Sequence, residues 1–303
     1  MLSIAISLSL LKNTVKTIHL LSIFSLLLLS MLPAYLSAQD KPKCRIRLPE
    51  QLAEVSGLYY AAPDSLWWHN DSGDGPRLYL TDREGHLTYT LDLPMLRHTD
   101  WEDITADDQG NIYVGDFGNN LRNRQDLRIY RVQPRSGEVD SIHFQFPARF
   151  AGDGLDTEAF FWYRDSLHLF TKSRIRGERF VTKHFALADR GATQTAEFRD
   201  SLSLKRRVVT GAAIDPLTGT VVLVGYNYGK LLGFIPYSAA SVFYLNDYPD
   251  GHFLKGHRKR KGISCLWALQ YESVDFVNEK YIYVAAEKTL WIKAKAKRRK
   301  KKY

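Results

Sequence analysis

The chain has 303 residues, of which 45% are hydrophobic and 13% aromatic, so it can bury one large core. Its formal net charge is +9, and that charge is concentrated at the two ends. Lys12 and Lys16 contribute two positive charges and residues 293–302 contribute eight, which leaves residues 39–292 with a net charge of −1. The high isoelectric point therefore belongs mainly to the C-terminal segment, and the body of the chain is almost neutral.

Residues 1–38 have the pattern of a secretory signal peptide. Lys12 and Lys16 precede an apolar run at 20–32, and small residues end the segment at Ala38. The run is shorter than the ~20 residues that a membrane span needs, although a retained anchor is the alternative. We expect cleavage near Ala38 and a soluble, exported protein in the periplasm or outside the cell. Export also argues against nucleic acid as a partner.

Five similar stretches recur along the chain at a period of roughly 50 residues, the range typical of solenoids and propellers. In each stretch a short apolar strand is followed by a turn and a second apolar strand. Alignment of the repeats without gaps places five residues in one column near their starts: Ser56, Glu102, Glu158, Thr210 and Lys261. No segment has a helical period longer than two turns. The pattern predicts an all-β fold, a β-propeller of four-stranded blades. Five blades are visible, and six are possible because 236–260 is hard to interpret.

The last repeat predicts how the ring closes. It supplies three strands, at 263–269, 281–285 and 289–293, and the short alternating segment 44–48 can complete that blade from the other end of the chain. Such closure removes an open sheet edge. The predicted propeller domain is therefore 39–292.

The basic segment 293–303 is predicted to be a solvated C-terminal tail outside the propeller. Contact between this tail and an anionic surface, such as lipid head groups or a glycan, is the functional alternative.

The same strand order bears on the two cysteines. Cys44 would lie on the outermost strand of the last blade and Cys265 on the innermost one. Three strand spacings, ~14 Å in all, would separate them. A disulfide tolerates at most ~7 Å between Cα atoms, so we expect no Cys44–Cys265 disulfide.

Polar residues stand at the same register in successive repeats, where the inner strands begin and the second strands end. In a propeller these positions surround one mouth of the central channel. The predicted ligand-binding residues are Asp71, Glu102, Asp103, Asp116, Glu158, Lys172, Tyr226 and Glu287. A structural role is the alternative, in which these groups cap strand ends and tie blades together through backbone N–H groups.

Two chemistries fit this ring. Glu102, Asp116 and Glu158 could hold a hard cation such as calcium through oxygen ligands. In an enzyme, Glu102 or Glu158 could act as general base while Lys172 stabilises a developing anion. The nine histidines have no zinc-binding spacing, and no nucleophile elbow, phosphate loop or dinucleotide fingerprint is present.

Specific motifs carry a resemblance to a known family. They are Val-Ser-Gly-Leu at 55–58, Asp-Trp-Glu-Asp-Ile at 100–104, Gly-Asn-Ile-Tyr-Val-Gly-Asp-Phe-Gly-Asn-Asn at 110–120 and Val-Thr-Gly-Ala at 209–212. Together they resemble exported, largely uncharacterised β-propeller proteins of a Bacteroidetes type. More distantly, the chain is similar to the SdiA-regulated, esterase-like-phytase and NHL-like propellers. These relatives imply a secreted or periplasmic propeller and, in the phytase branch, a calcium-assisted hydrolase.

The chain departs from that family pattern at one position. The family has an acidic residue before the last Gly-Ile, where this chain has Lys261. The substitution would replace one carboxylate of the ring with a cation and would weaken a site for several calcium ions.

Two functions follow from the sequence. The first is a monomeric propeller of the cell envelope with a binding or scaffold role, which binds a small molecule or another envelope ligand at its polar mouth. The second is a metal-assisted hydrolase of a phosphate or carboxylic ester. The sequence names no ligand or substrate, and it does not decide whether the protein is an enzyme.

Overall fold

The computed structural model describes residues 42–150, 153, 155–172, 180–204, 206–231, 235–264, 269–289 and 292–301. The predicted signal peptide lies outside these residues. Within them, no helix is long and apolar enough to cross a bilayer. The helical elements are three single turns of 3₁₀ helix, at Glu50–Leu52, Ala148–Phe150 and Phe253–Lys255.

The chain begins its fold with β1 (Arg45–Arg47), which belongs to the last blade. Blade 1 contains β2 (Val55–Ala62), β3 (Ser65–Asn70), β4 (Arg77–Thr81) and β5 (Leu87–Asp92). Each strand pairs antiparallel with the next, so the blade is a simple meander from the inside outward.

Blade 2 repeats this arrangement with β6 (Trp101–Ala106), β7 (Ile112–Asp116), β8 (Arg128–Val132) and β9 (Val139–Gln145). Its outer edge is extended by β13 (Thr193–Thr195), which pairs parallel with β9 and reaches over from the chain segment of blade 3.

Blades 3 and 4 are further antiparallel sheets. Blade 3 contains β10 (Thr157–Trp162), β11 (Ser166–Thr171), β12 (Val181–Ala188) and β14 (Glu197–Ser203). Blade 4 contains β15 (Val208–Ile214), β16 (Val221–Leu231), β17 (Ile235–Asn246) and β18 (His257–Ser264).

Blade 5 contains β19 (Tyr271–Asn278), β20 (Tyr281–Ala286) and β21 (Lys295–Lys300), with β1 as its outermost strand. The predicted all-β propeller and its closure by the N-terminal strand are confirmed, and there are five blades rather than six. The innermost strands β2, β6, β10, β15 and β19 contact one another in ring order, with β19 against β2.

Of the three strands predicted for the last repeat, 281–285 is confirmed as β20, and the assignments at 263–269 and 289–293 were wrong. Residues 257–264 form β18, the outermost strand of blade 4, and the innermost strand of blade 5 is β19. Each residue at 257–261 is basic and 257–260 are exposed, so no apolar alternation marks the strand in the sequence. An outer propeller strand can face water on both sides and needs no such pattern.

The predicted domain boundary at 292 was also wrong, because a strand made mostly of basic residues was taken for a solvated tail. Six residues of the basic segment form β21, which pairs with β20 on one side and β1 on the other. Lys301 is buried, and its ammonium lies 2.8 Å from the Asp215 carboxylate of blade 4. The segment therefore belongs to the propeller at least to Lys301, and its contact with an anionic surface stays a prediction.

Of the two cysteines, Cys44 is a free and exposed thiol beside β1. Cys265 lies outside the described residues, so the absence of a Cys44–Cys265 disulfide stays a prediction.

Five apolar clusters fill the spaces between neighbouring blades, one for each of the five interfaces. The cluster between blades 2 and 3, for example, packs Phe117 and Ile129 against Phe160 and Phe185. Because each blade has an apolar face toward each neighbour, burial drives formation of the ring as a whole.

At the axis, one buried carboxylate joins three inner strands. Asp103 on β6 accepts hydrogen bonds from its own neighbour Ile104 N (2.9 Å), from Phe160 N on β10 (3.1 Å) and from Ala212 N on β15 (3.2 Å). Its side chain is fully buried. Asp275 makes the corresponding link between blades 5 and 1, since it accepts from Tyr60 N at 2.7 Å.

We predict that Asp103→Ala lowers the stability of the whole propeller. The change leaves the N–H groups of Phe160 and Ala212 buried without their acceptor, at a cost of about 1–3 kcal/mol each. The melting temperature should fall by roughly 5–15 °C. The matched control is Asp140→Ala, since the Asp140 side chain is 79% exposed. Equal melting temperatures for Asp103→Ala and the control would contradict this role.

Candidate functional site

One mouth of the channel is formed where the five inner strands begin. The residues at this register are Ser56, Glu102, Glu158, Thr210 and Glu272. The two hydroxyls are used between blades, since Ser56 Oγ donates to Glu102 O (2.5 Å) and Thr210 Oγ1 donates to Tyr271 O (2.6 Å). The three glutamates are the members of this ring that can act on a ligand.

Glu272 was missed by the sequence analysis, which assigned Lys261 to this position. Lys261 instead lies on the outer strand β18, where its ammonium donates to Lys300 O at 2.9 Å. The Lys261 side chain is therefore not at the mouth, and the Glu272 carboxylate occupies the position that the sequence analysis gave to Lys261. The Gly-Ile pair at 262–263 resembles the residues that begin the other repeats, which caused the error. The inner strand of blade 5 begins at Tyr271, and Glu272 and Ser273 are in register with Glu102 and Asp103.

Three carboxylates of blades 1 and 2 come together at this mouth. One oxygen from each of Asp71, Asp100 and Glu102 lies within 4.8 Å of the others. Asp71 follows β3 and its N–H donates to Glu54 O (2.9 Å). Asp100 precedes β6 and its N–H donates to the Asp116 carboxylate (3.1 Å). The sequence analysis predicted Asp71 and Glu102 but missed Asp100, which directly precedes β6 and stands two residues before the register of Glu102.

The backbone beside this cluster is shaped by a glycine. A Cβ atom on Gly118 would lie 2.1 Å from Glu102 Oε1 and 2.5 Å from Asp100 Oδ2. Such contacts are far inside van der Waals distance. The Gly118 N–H also donates to Asp100 O at 3.2 Å. The loop after β7 therefore approaches the carboxylates closely only because residue 118 has no side chain.

The environment of the cluster favours the uncharged acids. Burial, followed by the charges of Asp100 and Glu272, raises the pKa of Asp71 to about 7. Burial also raises the pKa of Asp100, and burial together with Glu158 raises the pKa of Glu102 well above its usual range. Glu102 is 5% exposed, and its Oε1 atom has no hydrogen-bond partner among the described residues. Asp71 Oδ1 is likewise buried and has no hydrogen-bond partner among the described residues.

Next to the three carboxylates lies a buried ion pair. Lys172 Nζ donates to Glu158 Oε2 at 2.5 Å, and both side chains are almost inaccessible to water. Lys172 follows β11, where its N–H donates to Asp156 O at 2.8 Å. Its charge lowers the pKa of Glu102 and so acts against the effect of burial. The predicted pair Glu158 and Lys172 is thus brought beside Glu102.

Blades 4 and 5 complete the mouth with a second acidic group. The hydroxyl of Tyr226 lies 3.0 Å from Gln270 Oε1 and 3.1 Å from Glu272 Oε1. Gln270 in turn donates to the carboxylate of Glu287. Burial and the charge of Glu272 raise the pKa of Glu287 to about 8. Tyr226 and Glu287 are therefore at the mouth, as predicted, with side chains already in a hydrogen-bonded network.

Two predicted site residues have their carboxylates engaged by the protein itself. Asp103 is held by the three backbone N–H groups described above. Asp116 lies 3.0 Å from Arg124 Nη1 and 3.7 Å from Arg128 Nε, and its side chain is fully buried. In both cases groups of the fold engage the carboxylate, as the strand-tying alternative expects, although Asp116 Oδ2 makes an ion pair and no hydrogen bond among the described residues.

The mouth carboxylates should make stability depend on pH. Asp71 and Glu287 have pKa values of about 7 and 8 in the folded protein, above the ~3.9 and ~4.3 of an unfolded chain. The folded state therefore binds more protons between these limits, and stability falls as pH rises from ~4 to ~8. We predict a lower melting temperature at pH 8 than at pH 5, measured with a chelator present.

The double variant Asp71→Asn, Glu287→Gln should make this pH profile shallower, because amides do not titrate. Some slope should remain from other buried acids, such as Asp275, whose pKa is also raised to about 7. Asp92→Asn serves as the control, since the Asp92 side chain is 67% exposed. A slope as steep in the double variant as in the wild-type protein would contradict the contribution of Asp71 and Glu287.

Comparison with known proteins finds similar folds among solved structures but assigns the chain to no family. No family model matches the chain, and no curated protein does. Among solved structures, a mannose phosphorylase, MPT-4 from Leishmania mexicana, is 11% identical, with 91% of this chain and 93% of that chain covered and a TM-score of 0.49. An α-L-arabinofuranosidase, Arb93A from Fusarium graminearum, is 9% identical, with 86% and 98% covered and a TM-score of 0.48. A protein described as a gluconolactonase is 14% identical, with 84% and 91% covered and a TM-score of 0.46.

Likeness at this level says nothing about activity. What the molecule's own fold and site define is a five-bladed β-propeller with an acidic channel mouth.

Proposed function

We propose that this protein is an exported binding propeller whose mouth holds a hard divalent cation, with calcium as the best match, and through it an oxygen-rich ligand. The observation that carries the proposal is the buried Glu102 carboxylate, whose Oε1 atom has no partner among the described residues and faces two further carboxylates. A bare carboxylate in a poorly solvated site is costly, and a cation offsets that cost.

The donor set fits such an ion. Asp71, Asp100 and Glu102 present oxygen atoms within 4.8 Å of one another, a span compatible with oxygens that share one ion at the 2.3–2.6 Å distances of calcium. No soft sulfur or imidazole ligand belongs to the cluster. When bound, the cation would supply positive charge for the oxygen atoms of a ligand. Lys172 lies close enough to influence the same carboxylates and adds a second positive group.

The remaining mouth residues suit recognition by hydrogen bonds. The Tyr226 hydroxyl donates to Gln270 and Glu272, and Glu287 with its pKa of about 8 is a protonated donor at neutral pH. Export is supported by the signal-peptide pattern of residues 1–38. A mouth that combines one cation site with acidic and hydroxyl groups would recognise a polar small molecule or glycan-like ligand.

We predict that calcium raises the melting temperature and that its binding releases protons near pH 7. An ion at about 100 times its Kd stabilises the fold by about 2.7 kcal/mol. Because the pKa values of Asp71 and Glu102 are raised, the ion must displace protons from these acids. Titration calorimetry in two buffers of different ionisation enthalpy counts the protons released.

Glu102→Gln and Asp71→Asn should each weaken calcium binding at least tenfold, whereas the exposed control Asp92→Asn should leave it unchanged. If calcium produces neither a thermal shift nor heat in the wild-type protein, the cation site is ruled out.

Hydrolysis of a phosphate or carboxylic ester is the second candidate function. The observation in its favour is the buried Glu158–Lys172 pair beside the proposed cation site. Glu158 would take a proton from an attacking water, and the Lys172 ammonium would stabilise the negative charge that develops on the substrate. The cation, when bound, would polarise the ester oxygen.

We predict that, if this reaction occurs, Glu158→Gln lowers kcat on a generic 4-nitrophenyl ester or phosphate by about 10²–10⁴-fold. Calcium affinity should change little, because Glu158 is outside the three-carboxylate cluster. Lys172→Met is the companion variant. Wild-type turnover no faster than that of Glu158→Gln would remove the enzyme function and leave the binding function standing.

A further inference from the structure

A separate cavity of about 290 Å³ lies farther along the same inner strands. Its lining begins two to three residues beyond the mouth register, at Tyr59 on β2 and Ile104 on β6. At ~3.3 Å per residue this places the cavity roughly 10 Å from the acidic mouth. Asp103 and its three N–H partners lie between the two, so the cavity is distinct from the proposed cation site.

Aromatic rings make up much of the cavity wall. They are Tyr59, Tyr60, Phe161, Trp162, Tyr163 and Phe276. All five blades contribute to the wall through aliphatic or aromatic residues of their inner strands, and Pro216 of blade 4 adds to them. The volume is at the lower limit of small-molecule sites, which are typically 300–1,000 Å³.

The charged residues that line the cavity are all aspartates: Asp107, Asp108 and Asp275. Asp107 is committed to its own turn, since it accepts from Asn111 N (2.8 Å) and Asn111 Nδ2 (2.6 Å). Asp108 is exposed at the rim. Asp275 is the acid set into the aromatic wall, and among the described residues it forms no ion pair.

The Asp275 carboxylate is held in a fixed orientation. Oδ2 accepts from Tyr60 N and Oδ1 from Phe276 N, each at 2.7 Å. Burial nevertheless raises its pKa to about 7, so two backbone N–H groups do not fully offset the loss of water. Lys301 lies 4.6 Å from the centroid of the Phe276 ring, but Asp215 holds its ammonium and it does not line the cavity.

We propose that this cavity binds a small organic ammonium ion, with Asp275 as its counter-ion and the aromatic rings around its apolar part. Electron-rich faces of Tyr and Trp attract cations, most strongly where water is excluded. The Asp275 carboxylate beside these rings can form an ion pair with a cationic ligand, an interaction that a neutral ligand cannot make. The shape, the rings and the single fixed acid all favour the same class of ligand.

An inorganic cation fits the cavity poorly. Calcium requires six to eight oxygen ligands, and the cavity offers one carboxylate that faces inward among carbon-rich walls. A quaternary or primary amine with a few carbon atoms satisfies both the acid and the rings. A neutral sugar can stack on Trp162 and is therefore included in the test.

The test compares choline with 3,3-dimethylbutan-1-ol, which has the same shape without the charge, and with glucose. Calorimetry is performed on the full propeller with a chelator present, so that the cation site is empty of metal. Choline should bind with a Kd below about 10 mM, as expected for a ligand of this size. It should bind at least tenfold more tightly than the neutral alcohol, a difference of about 1.4 kcal/mol.

Asp275→Asn should remove this preference for charge, and Tyr59→Leu should weaken choline binding several-fold while the fold is retained, as checked by circular dichroism. Because the acidic mouth could also attract choline, Glu102→Gln is the matched control and should leave choline binding unchanged. Equal affinity for choline and the alcohol, binding of glucose alone, no choline binding, or loss of binding in Glu102→Gln would each overturn the proposal.

Discussion

The structure depends on one carboxylate at its axis. Asp103 takes three backbone N–H groups from three inner strands, and no water reaches it. A carboxylate in such a place is costly unless its oxygens are satisfied, and here the backbone of neighbouring blades satisfies them. The same bonds fix the register of β6, β10 and β15 relative to one another. The polar groups at the strand starts therefore meet at one mouth, and the aromatic residues farther along meet at the cavity.

This arrangement separates acids that build the ring from acids that are available to a ligand. Asp103 accepts from three backbone N–H groups, and Asp116 is paired with arginines. At the register where other blades have glutamates, Ser56 and Thr210 have hydroxyls that donate to backbone carbonyls of neighbouring blades. What remains at the mouth is a set of acids with raised pKa values and one buried lysine, a combination that the fold does not neutralise by itself.

Much of this could be predicted from the sequence, because a propeller repeats its hydrophobic pattern. The fold class, the four-stranded blades and the closing strand near Cys44 all follow from strand alternation and a period of roughly 50 residues. The pattern failed at β18 and β21, where basic residues predominate and only a few residues, such as Ile263 and Ala296, contact the apolar clusters. Because β18 was taken for the inner strand of blade 5, Glu272 was not recognised as a residue of the mouth. Asp100 was passed over because it lies outside the register that the repeats share. The partners of Asp103 could not be found in this way, since they depend on which blades meet in space.

The unpartnered Glu102 oxygen is the part of the mouth that a stable fold alone does not require. A glutamine there would keep the shape and remove the cost of the buried charge. Instead the loop after β7 passes so close to Glu102 and Asp100 at Gly118 that a Cβ atom there would require both carboxylates to move. The backbone is thus fitted around a group that destabilises the protein when it is charged and empty. Such a cost is typical of functional sites, where stability is lost in exchange for a prepared binding geometry. The cluster at Asp71, Asp100 and Glu102 therefore has the character of a binding site, whereas Asp103, equally buried, has that of a structural link.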